Sequence, residues 1–259
     1  MKGLKESLRS DWAIGLVLML LMLLVFYFEW QPMEILEYKF YDFGFNLRQA
    51  PPPAPISIVN IDDASIAKIG RWPWPRQRIA EMVRLLTEND ARVIGIDIIY
   101  SESDSSQGLA EIRNVIKNVE DSGLQGTAAG GKILEELRQA EAKLDSDMPL
   151  ASAIGESNRV VLPLFFGKIS SAMGSTGANM PDYLKFNSIS ASNLWFQMSA
   201  KEITAPIPDF ATRAAALGHI NVIPDRDGTV RSEPILINYE GLFFPSFSLQ
   251  LTLRYLNAE

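Results

Sequence analysis

NIDDASIAKIG (60–70), RWPWPR (71–76) and, beyond an amphipathic segment, ARVIGIDIIYSESD (91–104) are the stretches that decide the fold. Just before them, residues 56–61 (ISIVNI) are a short, β-branched, mostly apolar run of the kind a buried parallel strand needs. Asp62 or Asp63 can cap a short turn over 64–69, which Gly70 would end. Pro75 fits a first helical position. Ile79, Met82, Val83 and Leu86 then make one apolar helix face that closes near Asn89. Val93, Ile94, Ile96, Ile98 and Ile99 form a second strand, apolar on both faces. Strand, helix and strand of these lengths make a βαβ unit with a right-handed crossover. Asp62 then stands at, and Asp97 close to, the carboxyl edge of neighbouring strands, where open α/β sheets bind ligands.

That edge supplies the candidate ligand-binding residues: Asp62, Arg71, Trp72, Trp74, Arg76 and Asp97. Two readings of them stand side by side. In the first, the acids form a polar pocket with Arg71 or Arg76 as counter-charge. In the second, Asp62 caps a turn and Asp97 is tied to a backbone donor or an arginine. The loop 72–75 divides the same way. Two prolines hold it extended and two indoles add apolar area, which suits a ligand cleft, a dimer surface or a lid over the sheet edge.

Upstream, residues 12–28 (WAIGLVLMLLMLLVFYF) are uncharged throughout, at the short end of what crosses roughly 30 Å of hydrocarbon. Lys2, Lys5 and Arg9 precede the run, which leaves the N-terminus in the cytoplasm under the positive-inside rule. Trp12, Tyr27 and Trp30 sit at aromatic-belt positions. A cleavable signal peptide competes, but Phe26, Tyr27, Phe28 and Trp30 occupy the region where cleavage needs small residues. The expected division is a cytoplasmic terminus (1–11), a transmembrane anchor (12–30), a juxtamembrane helix with a proline-rich connector (31–55) and an extracytoplasmic domain (56–259). In the third part, Leu36, Phe40, Phe43 and Leu47 fall at helical spacing, and 50–55 (APPPAP) is stiff and extended.

Downstream, residues 103–146 read as a helical excursion, with stripes Leu109, Ile112, Ile116, Val119 and Ile133, Leu134, Leu137, Leu144 on either side of the glycine-bearing 123–131. A short helix over 150–154 and a strand over 159–166 follow, with Pro163 suggesting an edge position or a bulge. After an irregular stretch (167–192), a short helix is expected over 209–216. Strands over 218–225 and 229–237 would then form a hairpin around Asp227–Gly228. The fold class is therefore α/β, with a largely parallel central sheet, flanking helices and a C-terminal antiparallel hairpin, preceded by one transmembrane helix.

Composition narrows the chemistry. The 259 residues carry a net charge of −7 with a pI near 4.9, which argues against a nucleic-acid partner. There is no cysteine, so disulfides and thiolate metal sites are excluded. Asp225-Arg-Asp-Gly228 echoes the start of a calcium loop but lacks its later ligands, and a hairpin is favoured. His219 is the only histidine, without a serine elbow or second ligand, and reads as a satisfied structural residue. No P-loop or glycine fingerprint is present, and neither a catalytic residue, a metal site nor a cofactor is assigned.

The segments quoted above, with SNRVVLPLFF (157–166), LGHINVIPDRDGTVRSEPILI (217–237) and FPSFSLQLTLRYL (244–256), resemble the second class of CHASE domains, the cyclase/histidine-kinase-associated sensory extracellular modules of bacterial membrane receptors. The resemblance covers about residues 38 to 256. It implies an extracytoplasmic sensory input domain that regulates an intracellular nucleotide cyclase or protein kinase, which the run over 12–28 would hold in the inner membrane by one span. It also implies a homodimer that answers an unidentified small-molecule or protein signal. Such receptors usually continue into further spans and an effector. Residues 247–256 are too short and polar to be such a span, so the output is expected beyond Glu259 or on another chain. A membrane-anchored periplasmic metal-dependent hydrolase using Asp62 and Asp97 is the alternative.

Overall fold

The computed structural model describes residues 2–27, 31–47, 56–104, 107–170, 180–189 and 198–257, with the side chains of 2–11, 25, 31–32 and 107 outside that description. The connector at 50–55 and much of 167–192 lie outside the described residues. Two compact units emerge, Met1–Ile61 and Asp62–Glu259.

The first unit holds α1 (Lys2–Tyr27) and α2 (Gln31–Leu47). In α1 the described side chains from Trp12 onward are uncharged and exposed all round. Among the described residues, no helix is long and apolar enough to cross a membrane. The expected stripe of α2, Leu36, Phe40, Phe43 and Leu47, is likewise exposed. Residues 56–61 correct an expectation: they form no strand, and Ile58 is 89% exposed. Composition gives a segment β propensity, but a strand exists only where a ladder partner covers it. The βαβ unit over 56–99 is therefore absent.

The second unit begins with α3 (Asp63–Ile69) and α4 (Arg76–Glu88), the latter with Pro75 at its N-cap and Asn89 at its C-cap. The expected second strand shrinks to β1 (Ile94–Gly95). Then come α5 (Gln107–Asp121) and α6 (Ala128–Leu144), the expected helical excursion. They pack on each other through Leu109 and Ile116 on one side and Leu134 on the other. Ile133 and Leu144 face solvent instead.

After α7 (Asp147–Ser157), β2 (Val160–Gly167) is the centre of the larger sheet. It pairs in parallel with β1 and with β5 (Ala216–His219), and antiparallel with β4 (Glu202–Thr204). Pro163 is thus in a central strand, not at an edge. The ladder explains why it is tolerated. The carbonyls of Arg159 and Val161 accept from Ile94 and Ile96 of the β1 segment, and that of Gly167 accepts from Lys201 beside β4. Pro163 falls between these two neighbours on the same side, where no partner needs its missing N–H.

A second sheet joins β3 (Ser199–Ala200), β6 (Leu236–Tyr239) and β7 (Leu242–Pro245) in that order. Two small mixed sheets therefore replace the expected single sheet. The antiparallel hairpin is β6–β7, turning at Glu240 (φ 53°) and Gly241 (φ 84°). Both turn residues take the positive φ that a two-residue hairpin with matching twist demands. The Asp227–Gly228 site is a local turn without a ladder, closed by Gly228 N–H donating to Asp225. α8 (Asp182–Lys185) and α9 (Pro208–Ala211) are single turns, so the helix expected over 209–216 ends early and Ala216 opens β5.

The larger sheet is covered on both faces. Val160, Leu162, Leu164, Leu217 and Ile94 share a core with Ala80 and Val83 of α4 and with Leu150 and Ile154 of α7. The opposite face meets α10 (Phe247–Leu256). Gly218 permits that approach, because a Cβ there would lie 2.7 Å from the Phe247 Cα. Where β5 ends, the Asn221 side chain replaces it: Oδ1 accepts from Phe166 N–H at 2.9 Å and Nδ2 donates to Phe166 O at 2.8 Å.

Candidate functional site

The carboxyl edge of the parallel strands holds a polar network centred on Arg76 at the start of α4. Its guanidinium pairs with Asp147 and donates to the Glu102 carbonyl. It also lies 5.0 Å from the Tyr100 ring centroid and 5.3 Å from that of Phe210, which meet edge to face at 5.4 Å. The Arg76 and Asp147 side chains are each 13% exposed, so their charges need the pairing they have.

Asp147 opens α7 and has further partners. Its carboxylate accepts from Asp104 N–H at 3.0 Å, while Ser146 Oγ donates to the Asp104 carboxylate. Asp145 accepts from the N–H groups of Asp147 and Met148, satisfying donors that a helix start leaves open. Its other oxygen takes Arg113 at 3.0 Å, and Arg113 also donates to Glu141 at 2.8 Å. A continuous chain of charge-assisted bonds thus ties the foot of the α5–α6 arm to the loop after β1 and to the start of α4. Tyr100 sits beneath it with its hydroxyl buried and unpartnered among the described residues. Burial, partly offset by Arg76, pushes its pKa up to about 12.

Of the six residues expected at this edge, Arg76 alone enters the network. Trp72 and Trp74 come together edge to face at 5.7 Å, both half-buried, and Trp74 Nε1–H donates to Gly70 O at 2.7 Å. Asp62 takes the capping role: its carboxylate accepts from Ser65 N–H at 2.8 Å and Ser65 Oγ at 2.7 Å. The Ser65 hydroxyl and N–H hold its pKa below the usual carboxylate value. Arg71 and Asp97 are exposed. No hydrogen bond or ion pair among the described residues links Asp62, Arg71 or Asp97 to Arg76. No group of three His, Asp or Glu side chains suited to a metal occurs among the described residues either.

Tyr100, Asp104, Ser146, Asp147 and Phe210 were invisible to sequence reasoning as site residues. Arg76 and Asp147 are 71 positions apart, and no short spacing links them. A second latch closes the 225–231 turn, where Arg231 reaches Asp225 at 2.9 Å and Asp227 at 2.7 Å. The Arg231 bond, then the Thr229 N–H, drives the Asp227 pKa well down. Those two carboxylates are engaged by arginine, as a turn requires. His219 differs from expectation. It is buried in β5 beside Phe166 (ring centroids 6.1 Å), yet neither ring nitrogen has a partner among the described residues. Burial pulls its pKa down to about 4, which keeps the ring neutral.

Two small mixed sheets, a helical arm and a carboxyl edge whose charges engage one another describe an α/β module built around internal latches. The chain belongs to the CHASE2 domain family, whose model matches residues 17–259. It is a CHASE2 sensory domain. No curated protein and no solved structure shows significant similarity to it.

Proposed function

We propose that this chain is the extracytoplasmic input module of a bacterial transmembrane receptor and that it regulates an intracellular cyclase or kinase. The observation that carries the reading is the family match over 17–259, since CHASE2 domains are typically extracytoplasmic parts of membrane receptors. The exposed, uncharged surface of α1 supports an anchor. A helix apolar on every side is stable only inside protein or lipid. The basic residues lie before it, which puts the following domain outside the cytoplasm. The α2 stripe supports a two-fold contact between copies, because Leu36, Phe40, Phe43 and Leu47 otherwise leave a continuous apolar row in water.

Within the expected ligand edge, the half-buried indole pair and the adjacent exposed Arg71 are the part open to a signal. Asp62 is occupied by capping its own turn and Arg76 by its pairing with Asp147. Native protein captured from membranes with an antibody to the 107–144 arm should carry cyclase or protein-kinase activity, on the same polypeptide or on a bound partner. A captured protein with neither activity contradicts the reading.

A further inference from the structure

The opposite end of the larger sheet carries a different chemistry. The amino ends of β1, β2 and β5 open on a cleft of about 590 Å3 whose polar lining comprises Asp90, Arg92, Asn158, Arg159, Arg254 and Asn257. The chain follows each of α4, α7 and α10 with a residue in the left-handed conformation here: Asp90 (φ 60°), Asn158 (φ 48°) and Asn257 (φ 51°). Helix C-termini carry partial negative charge, and cations beside them offset it. That accounts for one arginine per helix end in any protein. It does not account for how Arg92 and Arg159 are held.

Arg159 is fixed by one bond, Nη1 donating to Ala91 O at 2.9 Å. Arg92 is fixed by stacking, its guanidinium 4.8 Å from the Tyr255 ring centroid. Each guanidinium has five N–H donors, so most of their capacity is unspent while their orientation is set. Arg254, in the last turn of α10, completes the set from the other face of the sheet. Among the described residues, no carboxylate forms an ion pair with any of the three. Arg76, Arg113, Arg138 and Arg231 all have one. Three arginines against one lining acid leave the cleft's side chains at about +2, more than the partial negative charges of the three helix ends offset, in a chain whose net charge is −7.

We propose that this cleft is the binding site for a compact oxyanion of charge −2, of the phosphate-monoester or dicarboxylate kind. Oriented guanidinium forks match such oxygens two at a time. An anion held by all three arginines joins α10 to the segments that lead into β1 and β2. Its occupancy is therefore felt by both faces of the sheet. The proposal deepens the sensory reading by naming a ligand class, and its consequence for output rests on that reading. The binding stands on the cleft alone.

The test uses the full chain in phosphatidylcholine nanodiscs, with inorganic phosphate titrated against chloride of equal ionic strength. Thermal unfolding and calorimetric binding are the readouts. A parallel arm replaces free phosphate with phosphatidic acid in the disc, to separate a free anion from a lipid headgroup. The expected result is a saturable rise in Tm with one of the two sources and a measurable heat of binding. Affinity should fall roughly tenfold or more in Arg254→Gln, whose side chain is exposed and whose loss leaves the core untouched. Arg159→Gln should show the same loss. No shift beyond chloride in either arm, or unchanged affinity in both variants, overturns the proposal. Cyclase or kinase activity of the native protein is measured without phosphate, so failure here leaves that result standing.

Discussion

Acidification tests the core around His219 directly. The ring is 0% exposed in β5, with Phe166 on one side and both nitrogens unpartnered among the described residues. In the unfolded chain the imidazole takes up a proton as the pH falls through 6.5, whereas in the fold it resists until about 4. Between those values the unfolded state binds more protons, so stability falls as the pH falls, and this contribution is fully lost only below the lower value. At about 1.4 kcal/mol for each tenfold change, the whole span is worth roughly 3 kcal/mol, of which roughly 2 kcal/mol is gone by about pH 5. Asp62 and Asp227 have lowered pKa values, so their contributions are lost only as the pH falls below the ordinary carboxylate value of 3.8, outside this window. Urea unfolding of the full chain in detergent, followed by circular dichroism at about pH 7.5 and about pH 5, gives the parent slope. His219→Leu keeps an apolar side chain of similar bulk and cannot titrate, so its pH dependence should be smaller by that roughly 2 kcal/mol. Parallel slopes in parent and variant would refute a buried neutral ring.

The Arg76–Asp147 pair sets a second expectation: Arg76→Met or Asp147→Ala leaves the other charge poorly paired and should lower stability by roughly 2–4 kcal/mol in the same assay, with the double variant costing less than the sum. Additive losses would show that the two groups do not act on each other. Gly218→Ala puts a methyl group against the backbone of Phe247 and should cost roughly 1–3 kcal/mol or prevent folding, read as a lowered Tm; a neutral effect would mean α10 does not sit against β5. Sedimentation of the full chain in mild detergent should show a dimer that Phe40→Glu with Phe43→Glu weakens, and a monomer over a wide concentration range counts against the α2 contact.

The periodic parts of this fold were legible, and the pairings were not. Leu109, Ile112 and Ile116 recur at helical spacing, and the α5–α6 arm follows from that repeat and the glycines between. Asp62 and Gly70 bracket α3 through local bonds that need no distant partner. Strands depend on partners. Residues 56–61 have strand composition and no ladder, while Pro163 looks unfit for a central strand until the exchange of β1 for β4 beside it is seen. The hairpin was placed at Asp227–Gly228 on turn chemistry, yet the chain turns at Glu240–Gly241. There the flanking runs 236–239 and 242–245 are apolar enough to pair and be buried. At the carboxyl edge Arg76 was singled out at the end of the RWPWPR motif, but as a counter-charge to Asp62 and Asp97, whereas it pairs with Asp147. Its partners were missed because Asp147 and the Glu102 carbonyl meet it only through tertiary structure.

The absence of cysteine lets one measurement show on which side of the membrane residues 62–257 lie. Single cysteines at Lys117, exposed on α5, and at Lys5, before the apolar run, are labelled with a membrane-impermeant maleimide in intact spheroplasts and again after lysis. Labelling is expected at 117 in intact spheroplasts and at 5 only after lysis. Labelling at 5 in intact spheroplasts, with 117 protected until lysis, would place the domain inside the cell and contradict the extracytoplasmic role proposed for it.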